Sequence, residues 1–292
     1  MAIGNEELLR QPRVLQPKDA SEAVRLKRSL GAAAAYVSGG TLLRTQWENG
    51  VAPMPPVLID VGAVHGLAGI AVSEGALAIG APTTLSECRR QPLLRERCPA
   101  LHEAMKAIAA PSVRNLGTIG GNVASGIGDA WPALLALDAE LVWHGDGPEV
   151  ESAASWIARF DAAPETRLLT AIRVPLAGPG GVYEAYRKVG RREAFTPSLV
   201  TAALRGRRDA DGRWSGCRIA AAGGAMRPMR LAEAEALWEG KRSEELDLAL
   251  IYQAVLAEYE AAPDAFADAA YRKKTAAGLV AAALWEARGT QC

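Results

Sequence analysis

Cysteine is scarce in this sequence, and the four present, Cys88, Cys98, Cys217 and Cys292, lie far apart with no C-x-x-C pair. Iron–sulfur clusters and structural zinc need clustered thiolates, so neither is expected on this chain. Histidine is scarcer still: His65, His102 and His144 are well separated, which excludes a local His-pair metal motif. Charge of one sign is lacking too. Lys+Arg and Asp+Glu both total 33, so nothing steers the chain toward nucleic acid or an anionic membrane. The basic run Arg205, Arg207, Arg208 is broken by Gly206 and flanked by Asp209 and Asp211, and reads as a charged hairpin loop. No apolar run approaches the roughly twenty residues that span a bilayer. The first ten residues carry acids and no apolar signal core, which points to the cytoplasm. A protein exported together with a signal-bearing partner would look the same.

What is present is regular pattern over a length of 292 residues, enough for two domains. Asp19 with Glu22 makes a capping signal for a helix running to Leu30, and Thr84 with Glu87 makes another. Leu101, Ala104, Met105 and Ile108 repeat at helical spacing behind Pro99. Strands are expected at Tyr36–Val37, Val57–Val61, Ile70–Val72, Leu77–Ile79 and Ala139–His144, with a helix at Trp131–Leu137. The stretch from Pro111 to Gly126 stands apart, too irregular for a helix and too glycine-rich for a central strand. The pattern breaks near Leu176–Gly181, which divides the chain into residues 1–177 and 178–292. Beyond the break, strands at Tyr183–Val189, Leu199–Leu204 and Arg218–Ala222 precede helices at Leu231–Trp238, Leu246–Glu260 and Tyr271–Ala287. Strands first and helices afterwards argue for a small α+β domain.

The candidate chemistry sits in two glycine-rich turns, Ser38-Gly39-Gly40-Thr41 and Thr118-Ile119-Gly120-Gly121-Asn122. Each follows an apolar or strand-like stretch and pairs glycines where backbone amides can approach a ligand closely. A lone Gly-Gly is most often an ordinary tight turn. Two such loops with Ser, Thr and Asn donors suggest a pyrophosphate or an extended cofactor gripped from two sides. Neither fits G-x-G-x-x-G or G-x-x-x-x-G-K-[ST], so an NAD-type Rossmann site and a P-loop are not indicated.

Read together, these segments resemble the FAD-binding subunit of the molybdenum hydroxylase (xanthine dehydrogenase) family. The family's apolar-apolar-Ala-Gly-Gly-Thr-Asp-Leu stretch appears as Tyr36-Val37-Ser38-Gly39-Gly40-Thr41-Leu42-Leu43. Its Val-Arg-Asn-x-Gly-Thr-Ile-Gly-Gly-Asn block is matched without departure from Val113 to Asn122. Asp129 and Pro132 precede an apolar helix ending Leu137-Asp138-Ala139. A Leu-Leu-x-x-Ile-x-x-Pro strand is matched from Leu168 to Pro175, a Tyr-x-Lys with downstream arginine at Tyr186, Lys188 and Arg191, and a Tyr-Arg-x-x-x-Ala pattern at Tyr271–Ala276. The six matches fall in order along nearly the whole chain.

The resemblance implies an α+β architecture: a two-part FAD-binding domain of the p-cresol methylhydroxylase type, then a small α+β carboxy-terminal domain. It also implies roles for a stretch comprising Val37, Ser38, Gly39, Gly40, Thr41 and Leu43. With Thr118, Gly120, Gly121 and Asn122, this stretch would hold the FAD pyrophosphate through backbone amides. Asp129 would accept from ribityl or ribose hydroxyls. Leu168, Leu169 and the Ile108–Val113 segment would pack on the isoalloxazine, and Lys188 would lie near its polar edge. FAD would be held non-covalently. Two departures stand out: Leu42 replaces a polar residue, and Ala194-Phe195-Thr196-Pro197 replaces a stretch that often holds an aspartate.

Three functions follow. In the first, the chain is an electron-transfer subunit between partners: a large molybdopterin subunit and a small one with two-iron two-sulfur clusters. Electrons would leave FAD for NAD or another acceptor. The second is a stand-alone FAD-dependent oxidoreductase on the same fold, and the third a structural subunit that has lost its flavin. The absence of an acid–base set and of a tethering histidine favours the first, in which no catalytic residue or metal ligand is expected here. The substrate is left open among purines, aldehydes, nicotinate-like heterocycles and carbon monoxide.

Overall fold

Three short apolar runs near the amino terminus pair in parallel. They are Arg13–Leu15 (β1), Ala34–Val37 (β2) and Val57–Asp60 (β3), in the order β1-β3-β2. The computed structural model describes residues 11–161, 165–178, 181–191, 198–224 and 226–289. The helix Ala20–Leu30 connects β1 to β2; Asp19 Oδ1 accepts from the Glu22 amide at 2.7 Å, as the capping pattern requires.

The second sheet is antiparallel, with order β4-β5-β8-β6-β7. Its strands are Ile70–Ser73 (β4), Ala76–Gly80 (β5), Glu140–His144 (β6), Pro148–Ser152 (β7) and Leu168–Pro175 (β8). The third is an antiparallel meander, order β12-β11-β10-β9: Val182–Gly190 (β9), Ser198–Arg208 (β10), Trp214–Gly223 (β11) and Met226–Arg230 (β12). Both faces of this sheet are covered. Ala203 and Ala220 pack into a core with helix Trp131–Ala136, while Ala202, Leu204, Ile219 and Ala221 face helix Ala269–Gly289 on the other side. The two-residue period of a strand produces that division, and burial on both faces explains the run Leu199–Leu204, apolar but for the buried Thr201.

Several expectations fail locally. Pro111–Gly126 contains two short helices, Pro111–Arg114 and Ile119–Ala124, with Gly120 and Gly121 inside the second. Arg205, Arg207 and Arg208 belong to β10 and not to a loop; the register slips between Arg205 and Arg207, where Gly206 makes room for the Trp238 ring. Helix Thr41–Glu48 and strands β1, β7 and β12 carried no signal that was read. The long expected helix Leu246–Glu260 is a helix at Leu248–Glu258 behind a 3-10 turn at Ser243–Glu245. The Phe195 stretch and Cys292 lie outside the described residues, as does part of the Leu176–Gly181 break. Among the described residues, no helix is long and apolar enough to cross a membrane.

Candidate cofactor site

The two glycine turns lie against each other. A Cβ on Gly39 would sit 1.9 Å from the Leu116 carbonyl oxygen and 3.0 Å from the Gly117 Cα, so only glycine lets the second loop lie across the first. Gly40 follows in the left-handed region at φ +65° and stands at the N-cap of helix Thr41–Glu48 with no side-chain acceptor. The first amides of that helix, on Thr41, Leu42 and Leu43, have no intrahelical partner. They present the positive end of the helix dipole.

The second loop behaves differently. Its amides are engaged inside the protein: Ile119 N donates to Thr83 O at 3.0 Å, Gly120 N to Ala81 O at 2.8 Å and Asn122 N to Thr118 O at 3.0 Å. Gly121 N donates to Thr118 Oγ1 at 3.1 Å, which caps the helix Ile119–Ala124. The amide role expected of Gly120, Gly121 and Asn122 therefore lacks free donors. Gly120 is a packing glycine, since a Cβ would meet the Ala81 methyl at 2.6 Å. Asn122 Oδ1 accepts from the Ala130 amide at 3.2 Å and lies where a Gly128 side chain would be, so Asn122 shapes the turn that carries Asp129.

These elements line two adjoining cavities with Tyr36, Ser38, Thr118, Gly121 and Ala124 in their shared wall. The larger, 1030 Å³, runs from the start of helix Thr41–Glu48 past Ile108, Ala109, Val113 and Asp129. Arg191, Ser198, Gly224 and Phe266 of the carboxy-terminal half close it. The smaller, 370 Å³, is lined by Trp143, Trp156, Phe160, Leu168 and Leu169 with Arg159, Glu165 and Arg167. Trp131 stacks on Trp156 with centroids 5.5 Å apart, and the Arg167 guanidinium lies 5.0 Å from the Trp143 ring. Burial alone would raise the Glu165 carboxyl, but hydrogen bonds from Arg167 and Trp156 outweigh it and hold the group near about 2. The arginines of this lobe are thus neutralised in place.

Asp129 joins the two halves of the chain. Its carboxylate accepts from Lys188 Nζ at 2.7 Å and from Ser198 Oγ at 2.6 Å, and its carbonyl from the Tyr186 hydroxyl at 3.0 Å. Lys188 Nζ also donates to Ala107 O at 2.9 Å. Lys188 therefore stands behind the wall of the larger cavity, tied to Asp129, and does not line it.

Fifteen of the sixteen residues singled out from sequence line one cavity or the other, Lys188 being the exception. Val37 and Gly120 line the smaller only, and Ser38, Thr118 and Gly121 both. Gly39, Gly40, Thr41, Leu43, Ile108, Val113, Asn122 and Asp129 line the larger. Leu168 and Leu169 are separated from Ile108 and Val113, one pair in each lobe, so one ring system packed between all four is not what the structure offers. Sequence reasoning missed Ser198 and the tryptophan cluster. The spacing of Trp131, Trp143 and Trp156 has no local period, because a helix, a strand and another helix bring them together.

Known proteins resemble this chain along nearly its whole length. A family described as the FAD binding domain in molybdopterin dehydrogenase matches residues 10–177. One described as the CO dehydrogenase flavoprotein C-terminal domain matches residues 184–287. The chain is 32% identical over 273 residues to the carbon monoxide dehydrogenase medium chain of Hydrogenophaga pseudoflava, covering 92% of this chain and 94% of the relative. It is 29% identical to the 6-hydroxypseudooxynicotine dehydrogenase complex subunit alpha of Paenarthrobacter nicotinovorans, covering 92% and 93% of the two chains. Among solved structures, a chain of reconstituted CO dehydrogenase from Oligotropha carboxidovorans superposes with a TM-score of 0.88 at 28% identity, covering 96% of this chain and 99% of that one.

Proposed function

The chain belongs to the FAD-binding subunits of the molybdenum hydroxylase family, and from that premise we propose that it relays electrons from iron–sulfur clusters of a small partner subunit to NAD or another acceptor. Its FAD-binding domain and its oxidoreductase class come with the family. The direction of transfer, the acceptor, and partners comprising a large molybdopterin subunit and a small iron–sulfur subunit are the proposal. The observation that carries its cofactor site is the helix Thr41–Glu48, whose uncapped amides open on the larger lobe, beside the wall that this lobe shares with the smaller.

Bound FAD supplies a redox group able to take up electrons singly and give them up in pairs. The residues present fit such a ligand. Gly40 to Leu43 would meet the pyrophosphate with amides and the helix dipole, a pairing that needs no side-chain charge. The smaller aromatic lobe suits the adenine, by its volume and stacking faces. The larger lobe would take the flavin, with the Ile108–Val113 segment as an apolar wall and Asp129 at its hydroxyl-bearing chain. The relatives are named for substrates as unlike as carbon monoxide and 6-hydroxypseudooxynicotine. Substrate choice therefore belongs to the molybdenum-bearing partner.

Acid precipitation of the purified chain is expected to release FAD, not FMN, into the supernatant. Gly40→Val should weaken FAD binding by about tenfold or more, because a β-branched residue at positive φ costs roughly 1–3 kcal/mol and tilts the amides away. A parent chain without FAD, or a Gly40→Val variant that retains it fully, would sink the assignment. For the relay, substrate added to the copurified complex should bleach the flavin absorbance; clusters that reduce while the flavin stays oxidised would exclude it.

A further inference from the structure

Helix Pro99–Ala107 ends at the larger lobe, and its last carbonyls need partners. The chain then turns through Ala109, a non-glycine residue in the left-handed region at φ +49°, so that Ile108, Ala109 and Ala110 line the lobe. One buried side chain holds this turn. Arg114 Nη1 donates to Ile108 O at 2.9 Å and Ala109 O at 2.5 Å, and reaches Lys106 O at 3.5 Å. Arg114 is 5% exposed, and its Nε makes no hydrogen bond within the protein. The guanidinium is thus oriented for the carbonyls at the expense of one of its own donors. Lys188 Nζ takes the carbonyl between them, on Ala107. Every carbonyl from Lys106 to Ala109 therefore meets a cation, three of them from the same nitrogen.

We propose that Arg114 is a positioning residue for the flavin: by fixing the carbonyls on both sides of Ala109 it maintains the left-handed turn that sets the Ile108–Ala110 wall. The inference rests on the reading that the larger lobe holds the flavin end of FAD. It assigns a purpose to the arginine of the Val113–Asn122 block, which touches neither lobe. It also separates Arg114 from Lys188: the first shapes the wall from within the FAD-binding half, and the second latches that wall to the carboxy-terminal half.

The experiment uses the full chain, with FAD affinity measured by flavin fluorescence and ring environment by visible circular dichroism. Arg114→Met is expected to raise the FAD dissociation constant by about tenfold and to alter the flavin dichroism. Ala109→Gly alone, which trims the wall by one methyl, is expected to weaken affinity by no more than about threefold and sets the baseline for the pair. Placed in the Arg114→Met background it should return affinity to within about threefold of the parent, since glycine adopts positive φ without being held there. Arg114→Lys, which keeps one cation within reach of some of the carbonyls, should fall between parent and Arg114→Met and serves if the Met variant does not fold. An Arg114→Met chain with parental affinity and dichroism overturns the proposal. So does a double variant as weak as Arg114→Met, which would assign Arg114 to general stability. A parent chain that binds no FAD overturns the functional reading itself, a result seen before any variant is made.

Discussion

Glu184 is a carboxylate buried where the two halves of the chain meet. Its side chain is 4% exposed, accepts from the Ala100 amide at 3.1 Å and lies 3.9 Å from Arg205 Nε. Burial pushes the carboxyl up from its ordinary 4.5 to about 7, and the Ala100 amide and Arg205 offset only part of that. A raised folded-state value means that the folded chain holds the proton more tightly than the unfolded one. The contribution to stability is then full below about 4.5 and is lost as pH rises through about 7. Glu184→Gln stays neutral and keeps an acceptor for Ala100. It should stabilise the chain at pH 8 by about 1–3 kcal/mol and by much less at pH 5, read from urea midpoints at the two pH values. Equal shifts at both pH values would mean that the carboxylate is solvated after all.

Among the elements, those whose start is written in neighbouring residues were legible. Asp19 with Glu22 and Thr84 with Glu87 form caps within a single turn, and both helices begin where that chemistry places them. Helix Ile119–Ala124 was not legible, because its two central glycines argue against a helix by intrinsic preference. Thr118 and a neighbour remote in sequence decide otherwise: Gly120 fits only because the backbone and methyl of Ala81, at the end of β5, leave no room for a Cβ. Helix Thr41–Glu48 was hidden for the opposite reason, since an N-cap glycine offers no side-chain signal. The motif thus located the cleft while misassigning the reason for its glycines. Gly120→Ala should destabilise by about 1–3 kcal/mol through overpacking. Ala81→Gly in the same chain should recover part of that loss, because it removes the colliding methyl. Additive losses in the double-mutant cycle would show that the Ala81 methyl is not what excludes a side chain at position 120.

At the scale of the whole molecule, the break near residues 176–181 separates two matched families, and one core lies wholly beyond it, but another core straddles it. The core built on helix Trp131–Ala136 takes Tyr186 from β9, Ala203 from β10 and Ala220 from β11. Polar ties cross the same boundary: Lys188 and Ser198 to Asp129, Arg218 and Arg230 to Asp138, and Arg227 to Asp161. Removing the carboxy-terminal half would leave helix Trp131–Ala136 with a bare apolar face and would open the larger lobe along the side lined by Ser198 and Phe266. Apolar burial shared between halves couples their unfolding, whereas a small polar interface lets each melt alone. Heating the full chain should therefore give one transition, with flavin release and tryptophan fluorescence changing together. Trp47, Trp131, Trp143 and Trp156 report the first half, and Trp214, Trp238 and Trp285 the second. Replacing Trp214, Trp238 and Trp285 by Phe isolates the first signal, and replacing the other four isolates the second. If the two signals moved apart by more than about 5 °C, the shared core would contribute too little to couple the halves, and the flavin cleft would be closed by a separately folding domain.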